Sequence, residues 1–283
     1  MFMTAEKRHV LTRAEIKAKK ERRSRTAAAI ALVLILVVVV VAYAVYMYLP
    51  QYQTNPPPSG LRAAIVDHLS LTFPNETFVE TANKTMTEAG YTVDYYSGEN
   101  VTVDFYRGLP ALNYQIVIFR VHSALSQENK PPLALFTSES YSQSCHVYDQ
   151  LNDRLIGVVY RVEGQDQQYF GIPPVFVKSS MNGRFPNSTI IVMGCNGLTY
   201  KDMAEAFIEK GASVYVGFRN PVSASHTDQT TARLLQHYVG EGLTLKDAMI
   251  KTYDEVGPDP AYDSVMLYYP TEAGNQTAAE NTR

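Results

Sequence analysis

The chain has 283 residues, with 25 basic and 28 acidic side chains, and 46% of its residues are hydrophobic. The charge is unevenly distributed. Residues 1–26 carry nine Lys or Arg against three Glu, a net charge of +6, so the rest of the chain carries −3 − 6 = −9. An acidic main part argues against a protein that binds nucleic acid or another polyanion.

The first predicted element is a membrane-spanning helix at residues 27–49, which hold no charged side chain. At 1.5 Å per residue, this stretch matches a hydrocarbon core of about 30 Å. A buried core helix and a cleaved secretory signal are the alternatives. The stretch is too long for a signal, and no small-residue cleavage site follows it. Tyr43, Tyr46 and Tyr48 suit a membrane interface, so we expect an uncleaved signal anchor.

The basic segment 1–26 predicts the orientation, because positively charged flanks stay in the cytoplasm. A nucleic-acid-binding arm is the alternative for this segment. Beside a membrane span, however, topology and contact with anionic lipids explain its charge. We therefore expect a single-pass protein of the cell membrane, anchored by residues 27–49, with a cytoplasmic N-terminus and an extracellular C-terminal domain.

A Pro-rich linker at residues 50–60 follows the span and is expected to be extended and semi-rigid. The part beyond it contains five Asn-x-Ser/Thr sequons, none with Pro in the middle. Sequons on the predicted outer side indicate a glycosylated surface. The predicted glycosylation sites are Asn75, Asn83, Asn100, Asn187 and Asn275.

Beyond the linker, short apolar runs alternate with amphipathic segments. The runs predict strands at residues 61–67, 91–96, 114–121, 189–194, 213–218 and 265–268, and a hairpin of residues 133–138 and 154–163. Helices are predicted at residues 75–89, 175–181, 200–210, 223–239 and 244–256, with a helical turn at 102–109. This alternation predicts an α/β domain at residues 61–270, whose mostly parallel six-stranded sheet is flanked by helices on both faces. Residues 271–283 are polar and are expected to form a flexible tail.

Two of the predicted strands end in side chains that can carry chemistry. The strand at 114–121 leads into His122, and the strand at 189–194 leads into Cys195. Because the carboxyl ends of parallel strands meet at one edge, these side chains are expected to come together as a catalytic dyad. Taken singly, each has a plainer explanation, a hydrogen-bonded histidine and a small buried cysteine.

The sequence around these two positions resembles the caspase-like cysteine peptidases of clan CD, closest to the gingipain and clostripain branch. The resemblance spans roughly residues 61–268. It rests on Ile116-Val-Ile-Phe-Arg-Val-His122-Ser123, on Ile190-Ile-Val-Met-Gly-Cys195-Asn-Gly197 and on the block at 203–218.

The resemblance implies a caspase-like fold and a role for each of three residues. Cys195 would be the nucleophile and His122 its proton-transfer partner, with the N–H groups of Cys195 and Ser123 forming the oxyanion hole. Family members usually have Gly directly after the histidine, whereas this chain has Ser123, whose φ is more restricted.

The two cysteines, Cys145 and Cys195, both lie in the part predicted to be extracellular, where disulfides form. A domain of about 210 residues can build a core without one, so the fold does not require the bridge. Cys145-His146 is a second Cys–His pair, but adjacent residues on an extended segment point to opposite faces. A disulfide between Cys145 and Cys195 stays open as an alternative, because both cysteines are predicted to be extracellular.

The sequence contains no His-x-x-His or Cys-x-x-Cys spacing and no glycine-rich phosphate-binding motif, so we expect neither a metal nor another cofactor. The predicted function is a membrane-anchored extracellular cysteine peptidase that hydrolyses a peptide or protein substrate through Cys195 and His122. The alternative is an inactive caspase-like surface module, binding or structural, with a Cys145–Cys195 bridge or a sealed site. The sequence indicates neither the cleavage preference nor the oligomeric state.

Overall fold

The computed structural model describes residues 13–48, 60–126, 130–162 and 164–282. The chain divides into two units, Met1–Asn55 and Pro56–Arg283. In the first unit the described residues form the helix α1 (Arg13–Tyr48). Its segment Lys20–Ala44 has 25 residues and is long and apolar enough to cross a membrane. Residues 49–59, with most of the predicted linker, lie outside the described residues.

The described part of the second unit forms ten strands: β1 (Arg62–Asp67), β2 (Thr92–Ser97), β3 (Ile116–Arg120), β4 (Ser123–Leu125), β5 (Leu133–Ser140), β6 (Ile156–Val162), β7 (Gln165–Ile172), β8 (Thr189–Val192), β9 (Val214–Phe218) and β10 (Met266–Tyr269). Six of these form one sheet in the order β10-β9-β8-β3-β1-β2. Neighbouring strands are parallel except β10, which is antiparallel to β9. The prediction of an α/β domain with a mostly parallel six-stranded sheet is confirmed.

The helices of this unit are α2 (Glu76–Glu88), α3 (Val103–Gly108), α4 (Val147–Leu151), α5 (Pro174–Ser179), α6 (Asp202–Glu209), α7 (Ala224–Leu235) and α8 (Leu245–Val256). Side chains with an oxygen acceptor cap three of them. Asn75 accepts the Phe78 N–H at the start of α2 at 3.1 Å, and Thr102 and Thr244 do the same for α3 and α8. Such caps satisfy backbone donors that have no partner within the helix.

The core lies on both faces of the six-stranded sheet. In β1, Ala63 and Ile65 belong to one buried cluster, together with residues of α2, α7 and α8. Ala64 and Val66 belong to the other, together with residues of α3, α5 and α6. Because successive strand residues point to opposite faces and both faces are covered, the strands are apolar at nearly every position. This explains why apolar runs without alternation mark β3 and β8 in the sequence.

A second, antiparallel sheet of four strands is inserted between β3 and β8 in the chain, in the order β4-β5-β7-β6. The sequence predicted here only a hairpin of residues 133–138 and 154–163. In the structure both of those strands pair with β7 instead. This strand was missed because its first half, Gln165-Asp-Gln-Gln168, is polar and exposed, without the apolar alternation typical of a strand.

The segment after β10 is packed onto the domain, which corrects the prediction of a flexible tail at residues 271–283. Ala273 and Ala278 are buried in the same cluster as α7 and α8. Asn281 is also buried, and its Nδ2 donates a hydrogen bond of 2.8 Å to the hydroxyl of Tyr238. Two alanines and one asparagine bury too little apolar area to stand out in a polar sequence, so composition alone suggested a loose end.

Candidate functional site

His122 and Cys195 lie at the same edge of the six-stranded sheet. In the parallel pair β3 and β8, Phe119 is opposite Val192, and each candidate residue follows its strand partner by three positions. The two strand ends are joined directly, because Ser123 Oγ donates a hydrogen bond of 2.5 Å to the carbonyl oxygen of Cys195. The register of the strands therefore places the two residues that the sequence singled out at neighbouring strand ends.

Gly194 allows this close approach. A methyl group at this position would collide with the Ser123 side chain and would lie 2.9 Å from the carbonyl oxygen of Val121. After Cys195, the chain turns sharply at Asn196, whose φ of 58° is in the left-handed region that asparagine tolerates better than most residues. The turn is held by the Asn196 N–H, which donates to the Asn220 carbonyl at 3.0 Å.

The Cys195 side chain is a partly buried free thiol. Its Sγ accepts the N–H of Val222 at 3.5 Å and lies 3.6 Å from the carbonyl oxygen of the same residue. Burial raises the pKa of the Cys195 thiol, and the nearby Asp259 carboxylate raises it further, whereas the backbone N–H groups of Val222 and Cys195 lower it. The net shift is upward, so the resting side chain is a neutral thiol at neutral pH.

The imidazole of His122 is neutral as well. Burial, followed by the electrostatic effects of His68 and Arg120, lowers the pKa of His122 to about 3. Its Nε2 is hydrogen-bonded to Thr72 Oγ1 at 3.1 Å. Within the described part of the chain, no hydrogen bond joins this ring to Cys195 Sγ. Because both pKa shifts disfavour the charged forms, the resting site is a neutral pair and not a thiolate–imidazolium pair.

Tyr160 of strand β6 covers the ring of His122. The two rings are stacked with their centroids 4.1 Å apart and their planes 29° from parallel. Burial raises the pKa of Tyr160, and the Cys195 thiolate would raise it further. Sequence reasoning missed Tyr160, because a tyrosine on a half-exposed antiparallel strand carries no motif.

A buried ion-pair network lies directly behind the site. Arg120, two residues before His122, has no exposed surface. Its Nη1 contacts Asp67 Oδ1 at 2.8 Å, and its Nε and Nη2 contact the two carboxylate oxygens of Asp228 at 2.7 and 2.8 Å. Its Nη2 also donates to the carbonyl oxygen of Phe73 at 2.7 Å. Buried charges persist when they are paired and hydrogen-bonded, and four hydrogen bonds hold this guanidinium.

This network was not predicted, although the sequence contained a signal for it. Arg120 interrupts the apolar run of β3, and an arginine inside a buried strand requires carboxylate partners. The partner Asp228 is a buried residue near the start of α7.

His68 is a second buried imidazole at this edge. It follows strand β1, and its ring centroid lies 5.6 Å from that of His122 in an edge-to-face arrangement. Burial lowers the pKa of His68 to about 4, and its Nδ1 has no hydrogen-bond partner among the described residues. His68 is therefore part of the wall beside the candidate dyad.

Among the described residues, Cys145 and His146 take no part in the hydrogen bonds of His122 and Cys195. Cys145 is an exposed free thiol, so the structure has no bridge between Cys145 and Cys195. His146 instead pairs with Glu139, with Nε2 and Oε1 separated by 2.7 Å. An inactive surface module was expected to have either a Cys145–Cys195 bridge or a sealed site. Without the bridge, the sealed site is the form of that alternative that remains.

The five predicted glycosylation sites differ in their surroundings. Asn83, Asn100, Asn187 and Asn275 are exposed. Asn75 is not equivalent, because its Oδ1 caps α2 and its Nδ2 donates to Asp228 Oδ2 at 2.8 Å. The side chain of Asn75 is therefore directed into the ion-pair network.

We expect glycosylation at Asn83 and none at Asn75. Both asparagines belong to the same helix, since Asn75 caps the start of α2 and Asn83 lies in its middle. A glycan on Asn75 Nδ2 would have to occupy the space of the Asp228 carboxylate, whereas Asn83 Nδ2 is free on the helix surface. Glycopeptide mass spectrometry of the folded chain from a glycosylating host measures both sites in one sample. A glycan on Asn75 in folded protein would contradict the Asn75–Asp228 contact.

Among the described residues, no group of three or more His, Cys, Asp or Glu is arranged to hold a metal ion. No protein-family model matches the chain, and no curated protein matches it either. The edge of the six-stranded sheet thus holds a partly buried thiol and a partly buried imidazole at neighbouring strand ends, with a hydrogen bond from the Ser123 side chain to the Cys195 backbone.

Proposed function

We propose that the chain is a membrane-anchored cysteine peptidase of caspase-like fold, with Cys195 as nucleophile and His122 as base. One observation carries the proposal. The adjacent parallel strands β3 and β8 end in register, so that His122 and Cys195 occupy equivalent positions at one edge. The hydrogen bond from Ser123 Oγ to the Cys195 carbonyl keeps these two strand ends together.

In the proposed reaction, the Cys195 thiol gives its proton to His122 while its sulfur attacks the carbonyl carbon of the scissile peptide bond. The backbone N–H groups of Cys195 and Ser123 stabilise the oxyanion that forms. The carbon–nitrogen bond then breaks, the leaving amine takes the proton from His122, and a thioester remains on Cys195. Water, deprotonated by His122, hydrolyses the thioester and restores the free thiol.

The neutral resting pair makes proton transfer part of the attack. The pKa of Cys195 is raised and that of His122 is lowered to about 3, so an ion pair does not form before substrate arrives. The thiolate becomes favourable only as the developing oxyanion is stabilised and the proton moves to the imidazole. Such an enzyme is expected to be a slow target for thiol reagents at neutral pH, because the thiolate fraction is small and the thiol reacts only as His122 accepts its proton.

The proposed membrane anchor rests on the length and apolar character of one helical segment, and its proposed orientation rests on charge. The segment Lys20–Ala44 is long and apolar enough to span a bilayer. The net charge of +6 on residues 1–26 favours a cytoplasmic N-terminus. With the acidic remainder outside the cell, the exposed sequons on the domain would be accessible to glycosylation. The proposed substrate is accordingly an extracellular peptide or protein.

The alkylation rate of Cys195 tests the dyad without knowledge of the substrate. The full-length chain in detergent, carrying Cys145→Ser, is treated with iodoacetamide from about pH 6 to about pH 10. We expect labelling without prior reduction and a rate that rises through the alkaline range, because the thiol pKa is raised. At neutral pH, where few of the thiols are ionised, His122→Ala should lower the rate by about tenfold or more, because no base then accepts the thiol proton as the sulfur attacks the reagent.

His146→Ala is the matched control, since His146 pairs with Glu139 and not with the thiol, and its rate should equal that of the parent. Equal rates for His122→Ala and the parent would reject the dyad. Labelling that appears only after reduction would show that Cys195 is oxidised, and it would also reject the proposal.

A second candidate, an inactive surface module, is favoured by one observation. The Tyr160 ring stacks on His122 at 4.1 Å and covers the imidazole that a substrate needs. If this stack is permanent, the fold is kept for binding and not for catalysis. Tyr160→Ala distinguishes the two candidates. Uncovering His122 should raise or preserve peptidase activity in an enzyme and should create none in an inactive module.

A further inference from the structure

The hydrogen bonding of His122 points to a single partner that fixes its ring. Its Nε2 contacts Thr72 Oγ1 at 3.1 Å, and its Nδ1 makes no hydrogen bond to the described residues. The other rings around His122 are those of His68, 5.6 Å away between centroids, and of Phe73, Phe136 and Tyr160. Aromatic contacts restrict where the ring lies, but they do not decide which nitrogen carries the proton.

The segment that carries Thr72 is held at both of its ends by Arg120. At one end Arg120 Nη1 binds Asp67 Oδ1, and at the other Arg120 Nη2 binds the carbonyl oxygen of Phe73. Since Arg120 itself lies on β3 two residues before His122, one buried side chain ties the Thr72 segment to the strand that delivers the imidazole.

The same segment is also fixed internally. Asp67 Oδ1 accepts the N–H of Ser70 at 2.9 Å, and Ser70 Oγ donates to the Asp67 carbonyl at 2.8 Å. The N–H of Gly98 donates to Ser70 Oγ at 2.8 Å and so connects the turn to the end of β2. Thr72 is therefore presented to His122 from a turn that these hydrogen bonds hold in place.

We propose that Thr72 is the positioning residue of this site: its hydroxyl oxygen accepts the Nε2–H of His122, holds the ring in place and leaves the lone pair on Nδ1. This assignment rests on the proposed function, because only a base that takes the Cys195 proton needs a lone pair at a defined nitrogen. A neutral imidazole exists as two tautomers, and only the one with Nδ1 unprotonated can accept that proton there.

The tautomer is measured directly by NMR on the full-length chain in detergent micelles, labelled with ¹⁵N-histidine, with His122→Ala used to assign the signals. We expect the His122 signals of the parent to report a single tautomer protonated at Nε2. Thr72→Ser keeps the hydroxyl and should keep that tautomer. Thr72→Val has nearly the same shape without the acceptor, so it should give a mixture of tautomers.

The iodoacetamide rate at neutral pH, measured in the Cys145→Ser chain, gives the functional readout. We expect Thr72→Val to lower it by about tenfold and Thr72→Ser to leave it within about twofold of the parent. Thr72→Ala serves as the second variant if the valine chain does not fold, and it should behave like valine. A purely structural role for Thr72 would lower thermal stability without changing the tautomer.

The two proposals fail in different ways. If His122→Ala leaves the alkylation rate unchanged, the peptidase proposal fails, whatever Thr72 does. If His122→Ala lowers the rate but Thr72→Val and Thr72→Ala keep both the parent tautomer and the parent rate, the positioning role is overturned while the dyad stands. A parent signal that reports protonation at Nδ1 would overturn the positioning role directly.

Discussion

Replacing Arg120 by methionine is expected to lower the free energy of unfolding by about 3–5 kcal/mol, because it leaves two buried carboxylates without their partner. Asp67 and Asp228 are both nearly fully buried, and both bind the guanidinium at 2.7–2.8 Å. Urea or thermal denaturation of the full-length chain in detergent, compared with the parent, measures the loss.

Arg161→Met is the matched control. Arg161 contacts Asp166 at 2.7 Å, the same separation as the shortest Arg120 contact, but its side chain is 71% exposed. Solvent screens that pair, so its removal should leave the unfolding transition unchanged. Adding Asp67→Asn and Asp228→Asn to Arg120→Met should recover part of the loss, because the unpaired charges are then removed. Equal stability of Arg120→Met and the parent would mean that the network does not form.

Replacing Cys195 by serine is expected to lower peptidase activity by about 10⁴-fold or more, because a hydroxyl beside a neutral imidazole is a far weaker nucleophile than a thiol. His122→Ala should cause a comparable loss, and the double variant should be no worse than either single one, since the two side chains act as a unit. Cleavage of a mixed peptide library, followed by mass spectrometry, measures activity without a known substrate.

Cys145→Ser is the control for this experiment, because Cys145 is an exposed free thiol that has no part in the proposed reaction. It should cleave the library at the rate of the parent. Activity that survives in Cys195→Ser would assign the cleavage to another group or to a contaminant. Strictly additive losses in the double variant would show that Cys195 and His122 act independently, which contradicts a dyad.

The positions of His122 and Cys195 could be predicted because they depend on local patterns. The runs that form β3 and β8 are apolar at almost every position, which is typical of strands covered on both faces. Once two parallel strands are recognised, their carboxyl ends must share an edge. The six-stranded sheet followed from the same regular alternation of strands and helices.

The surroundings of the dyad could not be predicted, because they depend on contacts between distant parts of the chain. Arg120 lies 53 residues from Asp67 and 108 from Asp228, so sequence alone indicates the need for a partner but not its identity. Tyr160 reaches His122 from a sheet whose third strand, β7, has no strand-like pattern in its first half. Thr72 lies in a short turn whose conformation is determined by side-chain hydrogen bonds.

The register of β3 and β8 has a consequence for how the protein is made. Ser123 and Cys195 are 72 residues apart in sequence, and the whole antiparallel sheet lies between them. Closing a loop of this length is entropically costly, and parallel pairing across it slows folding. A nascent or misfolded chain therefore carries a separated thiol and imidazole. If the chain acts as the proposed peptidase, the number of active sites in a cell would follow the yield of folding, and quality control of the nascent domain would limit that number.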